Sequence, residues 1–312
     1  MWPLPDVSAL ILALNPAVDA EWRVERVEWE EKNTILSERR WAGGKGVNVA
    51  RWLHHLGGKP RLLLPLGGQP GAELARWLRA EKLPAKIIPL REPTRVDVIV
   101  TTAGSRQLRF NPPGPRLSRG EWNGILRAAE QNLASARLLV LSGSLPRGLP
   151  VTAYAKLIRL AHRFDVKTLL DCDGPAFAAA IKARPFLVKP NEHELGQWWR
   201  KPLRSEAELV CAARALSEQT RGWVLVSRGA KHGLLVNCVE RFQCFALPPR
   251  VKPRNTVGAG DALLAAVAQQ VERGAQPKEW LCWSTAVGTA ATQYPPGQLP
   301  ALSQITTNSG QV

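Results

Sequence analysis

The chain has 312 residues, 42 of them Lys or Arg and 26 Asp or Glu, for a formal net charge of +16, with 45% hydrophobic and 22% charged residues. That is an ordinary globular mix with room for one large α/β domain or two small ones, and it excludes fibrous and disordered classes. No apolar run approaches the roughly 18 residues that a membrane helix needs, and Met1-Trp2-Pro3-Leu4-Pro5-Asp6 has neither the basic nor the apolar region of a signal peptide.

In chain order, apolar runs at 9–14, 61–66, 137–141, 167–170, 186–188 and 223–226 read as short buried strands, and 120–133, 151–164 and 205–220 have helical period. Buried strands alternating with helices predict an α/β class: a doubly wound, mostly parallel sheet with helices on both faces and ligands at the carboxyl ends of the strands. Two stretches break the rhythm. Residues 21–40 are polar without helical period, and 94–110 alternate through Val96, Val98 and Val100 before a turn at Ala103-Gly104. Both read as extended ribbon, able to pair into a small β-sheet lid. Residues 1–312 are thus expected to form one domain carrying lid segments at about 20–42 and 92–112, with a frayed tail after Pro300.

Cys172, Cys211, Cys238, Cys244 and Cys282 include no CxxC pair, so a zinc ribbon or disulfide framework has no support. A cytoplasmic protein with free thiols and no membrane partner is expected. The positive charge favours anionic partners. Its basic residues are dispersed, however, in no run longer than a pair such as Arg39-Arg40. With neither a helix-turn-helix nor an RNA-binding aromatic motif, nucleic acid is not the expected partner.

Three segments carry candidate chemistry. Trp41-Ala42-Gly43-Gly44-Lys45-Gly46-Val47-Asn48-Val49-Ala50 sets glycines around a lysine ahead of a helix expected over 49–56. Glycine lets backbone approach a ligand, and Lys45 and Asn48 can bind ligand oxygens. A loop-to-helix junction with a solvated lysine is the plainer alternative. Leu187-Val188-Lys189-Pro190-Asn191-Glu192-His193-Glu194-Leu195 passes from a strand end into a helix. Asn191 and Glu194, three apart, face one side of the helix start, a geometry suited to hydrated Mg2+. Simple N-capping by Asn191 would also account for them, and His193 reads as a surface histidine.

Asn255-Thr256-Val257-Gly258-Ala259-Gly260-Asp261 leads into an apolar helix carrying Leu263, Leu264, Val267 and Val271. Unpaired amides at such a start form an anion site. Asp261 in that first turn can accept a proton from a hydroxyl as phosphate is transferred. An ordinary helix start with a stabilising Asp is the alternative. The segment is neither a Walker A loop nor a dinucleotide fingerprint.

Taken in order, Gly43-Gly44-Lys45-Gly46-Val47-Asn48, Lys189-Pro190-Asn191 with Glu194, and Thr256-Val257-Gly258-Ala259-Gly260-Asp261 resemble the motifs of the ribokinase-like (PfkB) sugar kinases. Leu14-Asn15-Pro16-Ala17-Val18-Asp19 and Ser142-Gly143-Ser144-Leu145-Pro146 are similar to its phosphohexose-kinase branch, that of 1-phosphofructokinase, tagatose-6-phosphate kinase and the minor 6-phosphofructokinase. The resemblance runs from about residue 11 to 292.

It implies a ribokinase-like fold, ATP and Mg2+ as cofactors, and a homodimer formed through the β lid. By position it implies that Asp261 is the catalytic base and that Gly258, Ala259 and Gly260 form the anion hole. Asp19, Gly44, Lys45 and Asn48 would hold the sugar, Arg95 and Lys32 its phosphate, and Ser144 would touch the substrate. Lys189, Asn191, Ser227, Gly229 and Gly233 would serve the nucleotide, with Glu194 reaching Mg2+ through water. The implied reaction is transfer of the ATP γ-phosphoryl group to fructose 1-phosphate, giving fructose 1,6-bisphosphate. Fructose 6-phosphate or tagatose 6-phosphate is the alternative substrate. A kinase of unphosphorylated sugars or nucleosides, and a non-catalytic nucleic-acid-binding or regulatory member, are the other readings. The chain departs from the branch at Asp97, which stands where Asn is frequent, at Asp171-Cys172-Asp173-Gly174, and at Tyr294-Pro295-Pro296-Gly297.

Overall fold

The computed structural model describes residues 7–104 and 106–305, so the opening hexapeptide and the tail past Ile305 lie outside it. β1 (Val7–Leu12) starts the large sheet, and β2 (Ala17–Val24) and β3 (Ser37–Gly43) leave it. α1 (Lys45–His55), β4 (Pro60–Leu66), α2 (Gly68–Ala80) and β5 (Ala85–Pro89) follow, before a second excursion through β6 (Arg95–Thr102) and β7 (Gln107–Phe110). The chain then alternates: α3 (Arg119–Leu133), β8 (Ala136–Ser142), α4 (Ala153–His162), β9 (Lys167–Asp171), α5 (Gly174–Ala180), β10 (Leu187–Val188), α6 (Glu192–Trp199) and α7 (Glu206–Thr220). β11 (Trp223–Val226), β12 (Gly233–Asn237) and β13 (Phe242–Ala246) end the sheet, and α8 (Ala259–Glu272) and α9 (Pro277–Ala291) close the fold.

Among the described residues the large sheet has nine strands, in the order β13-β12-β11-β10-β9-β8-β1-β4-β5. It is parallel throughout except for the β11–β12–β13 edge. The mostly parallel, doubly wound expectation is met. Alternation along each strand explains the apolar runs. Ala9 and Ile11 join a core with α1, α2, α8 and α9, whereas Leu10 and Leu12 join one with α3, α4 and α7. Strands covered on both faces show no polar side. α8 is buried from Asp261 to Gln269, and its Ala262, Ala265, Ala266 and Ala268 permit close approach of neighbouring helices.

Several boundaries differ from expectation. β1 ends at Leu12, and Ala13–Pro16 turns the chain towards β2. α1 begins at Lys45, four residues early, because Gly44 at φ +90° makes the turn and Gly46 is already helical. At Gly46 a Cβ would come within 2.6 Å of the Ala13 Cβ, so only glycine lets α1 lie this close to the end of β1. β5 is an edge strand with mostly exposed residues and thus lacks the apolar signature of its neighbours.

The two ribbons do pair into a separate sheet, ordered β3-β2-β6-β7. It starts at Ala17 rather than near 20, since buried Ala17 and Val18 are already paired with Arg95 and Val96. Trp29, Ile35, Leu36, Leu108 and Phe110 are large exposed apolar side chains on this sheet or in the 25–36 loop. All five cysteines are free. Among the described residues no helix is long and apolar enough to cross a membrane.

Candidate active site

The connection after β5 carries the chain back across β1, so the sheet order reverses between β1 and β8. Open α/β sheets leave a crevice at such a switch point, outside the carboxyl ends of the strands. Asn15, just past β1, spans this one. Its Nδ2 donates to the Ser144 hydroxyl at 3.0 Å, just past β8, and to the Pro113 carbonyl at 3.1 Å.

Asp171 at the end of β9, Lys189 just past β10 and Lys45 at the start of α1 converge beside it. Lys45 Nζ and Lys189 Nζ each stand 3.2 Å from a different oxygen of the Asp171 carboxylate. Burial pulls that carboxyl up, but the Lys189 and Lys45 ammoniums outweigh it and hold it below the usual range. Lys45 in turn is raised: desolvation alone would lower it, but Asp171, Asp261 and Glu194 surround it with negative charge.

Asp261 occupies the first turn of α8. Gly258, at φ +79°, caps that helix, and the loop before it is fastened to α9 where the Arg254 and Asn255 amides donate to the Thr292 carbonyl at 2.8 and 3.0 Å. The Asp261 and Ala262 amides donate to the Gly258 carbonyl, and the Ala259 amide reaches Thr256 O only at 3.5 Å. Among the described residues the Gly258 and Gly260 amides find no acceptor, and a Cβ on Gly260 would lie 3.4 Å from Lys189 Nζ. Free amides, a helix N-terminus and an ammonium thus meet at one spot, an arrangement that attracts an anion.

The Asp261 side chain is only 5% exposed. Burial and the Asp171 charge push its carboxyl up to about 7, against the Asn48 hydrogen bond and the Lys45 and Lys189 charges. Asn48 Nδ2 donates to Oδ2 at 2.9 Å, and Oδ1 has no partner among the described residues.

On the other side of the crevice lies the small sheet. Asp19 is buried opposite Asp97 of β6 and Trp41 of β3, and burial, with the Asp97 charge, pushes its carboxyl up to about 7. Gly43 is required beside it, because a Cβ there would overlap the Asp19 carboxylate. Arg95 donates to the Pro112 carbonyl at 3.0 Å and lies 3.4 Å from Asp97, while its buried Nε has no partner. Asp19, Trp41, Asn48, Arg51, Gly258 and the 295–299 segment enclose a cavity of about 30 Å³.

Asn191 and Glu194 form a reciprocal capping box: Asn191 Oδ1 accepts from the Glu194 amide and Glu194 Oε2 from the Asn191 amide, both at 2.8 Å. The capping alternative is therefore realised, and it leaves Glu194 Oε1 free at a groove of about 640 Å³ between α5 and α6. His193 is exposed. Ser227 pairs with Asn191 in a parallel bridge, and Gly229 makes an exposed turn at φ +59°.

Asp261, Gly258, Gly260, Asn48, Lys45 and Lys189 are thus brought together, with Asp19 and Ser144 across the crevice and Gly44 at the turn between them. Two candidates stand apart. Gly233 is buried at the start of β12, where a Cβ would meet Leu281 and Thr285 of α9. Lys32 is exposed in the loop between β2 and β3. Asp171 and Arg51 are central here but were not among the candidates. Their only local traces are position: Asp171 directly follows the apolar run 167–170, and Arg51 stands three residues past Asn48 on α1, and neither by itself points to a role.

Comparison with known proteins adds an independent line. The model of the pfkB family carbohydrate kinases matches residues 15–304. The 1-phosphofructokinase of Haemophilus influenzae is 31% identical over 289 residues, covering 91% of this chain and 90% of that protein. The ATP-dependent 6-phosphofructokinase isozyme 2 of Escherichia coli is 31% identical over 287 residues, covering 90% and 91%. The crystal structure of Escherichia coli phosphofructokinase-2 in complex with fructose-6-phosphate superimposes with a TM-score of 0.86 at 30% identity, over 92% of this chain and 94% of that one.

Proposed function

Because the chain belongs to the pfkB family of carbohydrate kinases, we propose that it transfers the γ-phosphoryl group of ATP to a hydroxyl of a fructose phosphate, fructose 1-phosphate first, to give fructose 1,6-bisphosphate. Relatives named for both fructose phosphates support the class. What carries the reading in this chain is one juxtaposition: the buried Asp261 carboxylate beside the free Gly258 and Gly260 amides and the Lys189 ammonium.

Asp261 is the general base. Its Oδ1 takes the proton of the acceptor hydroxyl as that oxygen bonds to the γ-phosphorus and the bond to the ADP oxygen breaks. The Gly258 and Gly260 amides and Lys189 stabilise charge on the transferring oxygens, and donors already in place need not reorganise. The Ala259 amide, already turned towards Thr256, contributes less. Asp19 and Asn48 hold sugar hydroxyls, with Gly44 and Lys45 lining the loop beside them and Ser144 opposite. Arg95 meets the substrate's own phosphate.

Asn191, Ser227 and Gly229 line the nucleotide side. The donor set there fits Mg2+, which binds through one or two carboxylates plus substrate phosphates and keeps its waters. Glu194 Oε1 would hold it through water, and when bound it would neutralise phosphate charge. The whole chain acts as one domain. The small sheet is a lid that excludes water, and the apolar side chains on and beside it, Trp29 to Phe110, suit pairing with a second copy.

The test is ADP release over a panel of fructose 1-phosphate, fructose 6-phosphate, tagatose 6-phosphate, fructose and ribose. Turnover of a phosphohexose but not of fructose or ribose is expected, with a loss of roughly 10² or more in kcat for Asp261→Asn. Near-normal turnover by that variant refutes the assignment of the base.

A further inference from the structure

Arg51 is buried on α1, 8% exposed, and every polar contact of its guanidinium is internal. Nε and one terminal nitrogen grip the Glu81 carboxylate at 2.7 and 3.0 Å. The same terminal nitrogen also donates to the Ala42 carbonyl at 2.9 Å, and the other one lies 3.4 Å from Asn48 Oδ1. The fork is therefore fixed from three sides: by Glu81 past the end of α2, by the backbone of β3, and by the side chain one turn before it on its own helix.

Asn48 stands between this guanidinium and Asp261. A primary amide has a donor end and an acceptor end, and its orientation is decided by its neighbours. A guanidinium can only donate, so it holds Oδ1 towards itself and leaves Nδ2 facing Asp261. Without it, Asn48 could flip whenever Asp261 is protonated, and then accept a hydrogen bond from the acid. With it, the amide remains a donor in both protonation states. Asp261 Oδ2 is thereby committed as an acceptor, and Oδ1 is the oxygen left for the incoming proton.

We propose that Arg51 is a positioning residue for phosphoryl transfer, acting through Asn48 to fix which carboxylate oxygen of Asp261 receives the substrate proton. This rests on the reading of Asp261 as the base. Arg51 borders the cavity beside Gly258, but among the described residues its guanidinium reaches Asp261 only through Asn48. The other charged groups around Asp261 are Asp171 from the end of β9, Lys189 after β10 and Lys45 on α1, with Asp19 on β2 across the crevice. A change at position 51 to a neutral side chain also removes a positive charge that lowers the Asp19 carboxyl; the Asn48→Ala background, where that charge is lost equally, separates this effect from the one carried by Asn48.

The experiment measures kcat, KM for ATP and the pH profile of Arg51→Met and Arg51→Lys, each in the native and in the Asn48→Ala background, with Asp261→Asn alongside. Arg51→Met is expected to lower kcat roughly ten- to a hundredfold, the scale of a small misplacement of a catalytic group, with KM for ATP unchanged. Its acid limb should move to higher pH, because a free Asn48 no longer stabilises the carboxylate. In the Asn48→Ala background the same change should alter kcat by less than about twofold, since residues acting as a unit are not additive. Arg51→Lys keeps a cation for Glu81 but not the fork. It should lose kcat in the native background only, and it stands as the test if Arg51→Met does not fold. Native kcat and pH profile in both variants, or an equal loss in both backgrounds, overturns the proposal. Turnover retained by Asp261→Asn would instead remove the base on which it rests.

Discussion

The Asp261 carboxyl should make the protein less stable as pH rises, and removing its charge should reverse this. In the fold its pKa lies at about 7, raised from an ordinary 3.8. A raised acid binds more protons folded than unfolded, so its contribution to stability is fully present below about pH 4 and is lost as pH climbs through 7. The difference, 7 − 3.8 = 3.2 pH units, corresponds to about 4 kcal/mol. Most of that range is accessible: between pH 5 and 8 the fall is about 2–3 kcal/mol. Asp261→Asn keeps the shape and the Asn48 contact but never ionises. Relative to the parent it should therefore gain about 2–3 kcal/mol between pH 5 and pH 8, or about 3–5 °C in Tm for a chain of this size. Asp19, also pushed to about 7, is raised in part by the Asp261 charge, so Asp261→Asn eases it as well and the difference between the two proteins reads the coupled pair. Thermal melts of both proteins without nucleotide, at half-unit pH steps, read this directly. Parallel curves would refute the argument that burial holds a proton on this side chain. The same substitution should abolish turnover, so stability and activity move in opposite directions.

Asp171→Asn would leave the Lys45 and Lys189 ammoniums without their shared counter-charge, and urea unfolding should show a loss of about 3–5 kcal/mol. Because the Asp171 charge also raises Asp261, the acid limb of kcat/KM should shift to lower pH; an unmoved limb contradicts the coupling. Gly43→Ala would drive a methyl into the Asp19 carboxylate, so KM for the sugar phosphate should rise about tenfold or more, with KM for ATP unchanged. Arg95→Ala should raise KM for a phosphohexose by roughly ten- to a hundredfold, the worth of a charged hydrogen bond. It should leave any turnover of unphosphorylated fructose untouched, and equal effects on both sugars would count against a phosphate contact.

Much of the fold was legible because strands covered on both faces are uniformly apolar, as at 137–141 and 223–226. β5 escaped notice for the opposite reason: as an edge strand it is mostly exposed. The start of α1 differs from the sequence reading because Gly44-Lys45-Gly46 looks like loop, whereas a single positive-φ glycine completes the turn and helix follows at once. Of the site, the glycine-rich helix start and its Asp261 could be read locally, since amides and carboxylate are neighbours in the chain. Asp171 could not: its importance lies in two lysines, one 126 residues before it and one just beyond the next strand. Arg51 is likewise silent as a letter, an arginine in a helix, until Glu81 and Ala42 are seen to enclose it.

The small sheet is built from two separate stretches of chain, woven together along β2 and β6. It is joined to the main body near Pro16, Gly44, Thr94 and Asn111. A protease nick in the exposed 25–36 loop would therefore detach nothing. Each fragment would stay stitched to the other by backbone pairing and anchored at its own end, so that loop is a natural site for new chain termini.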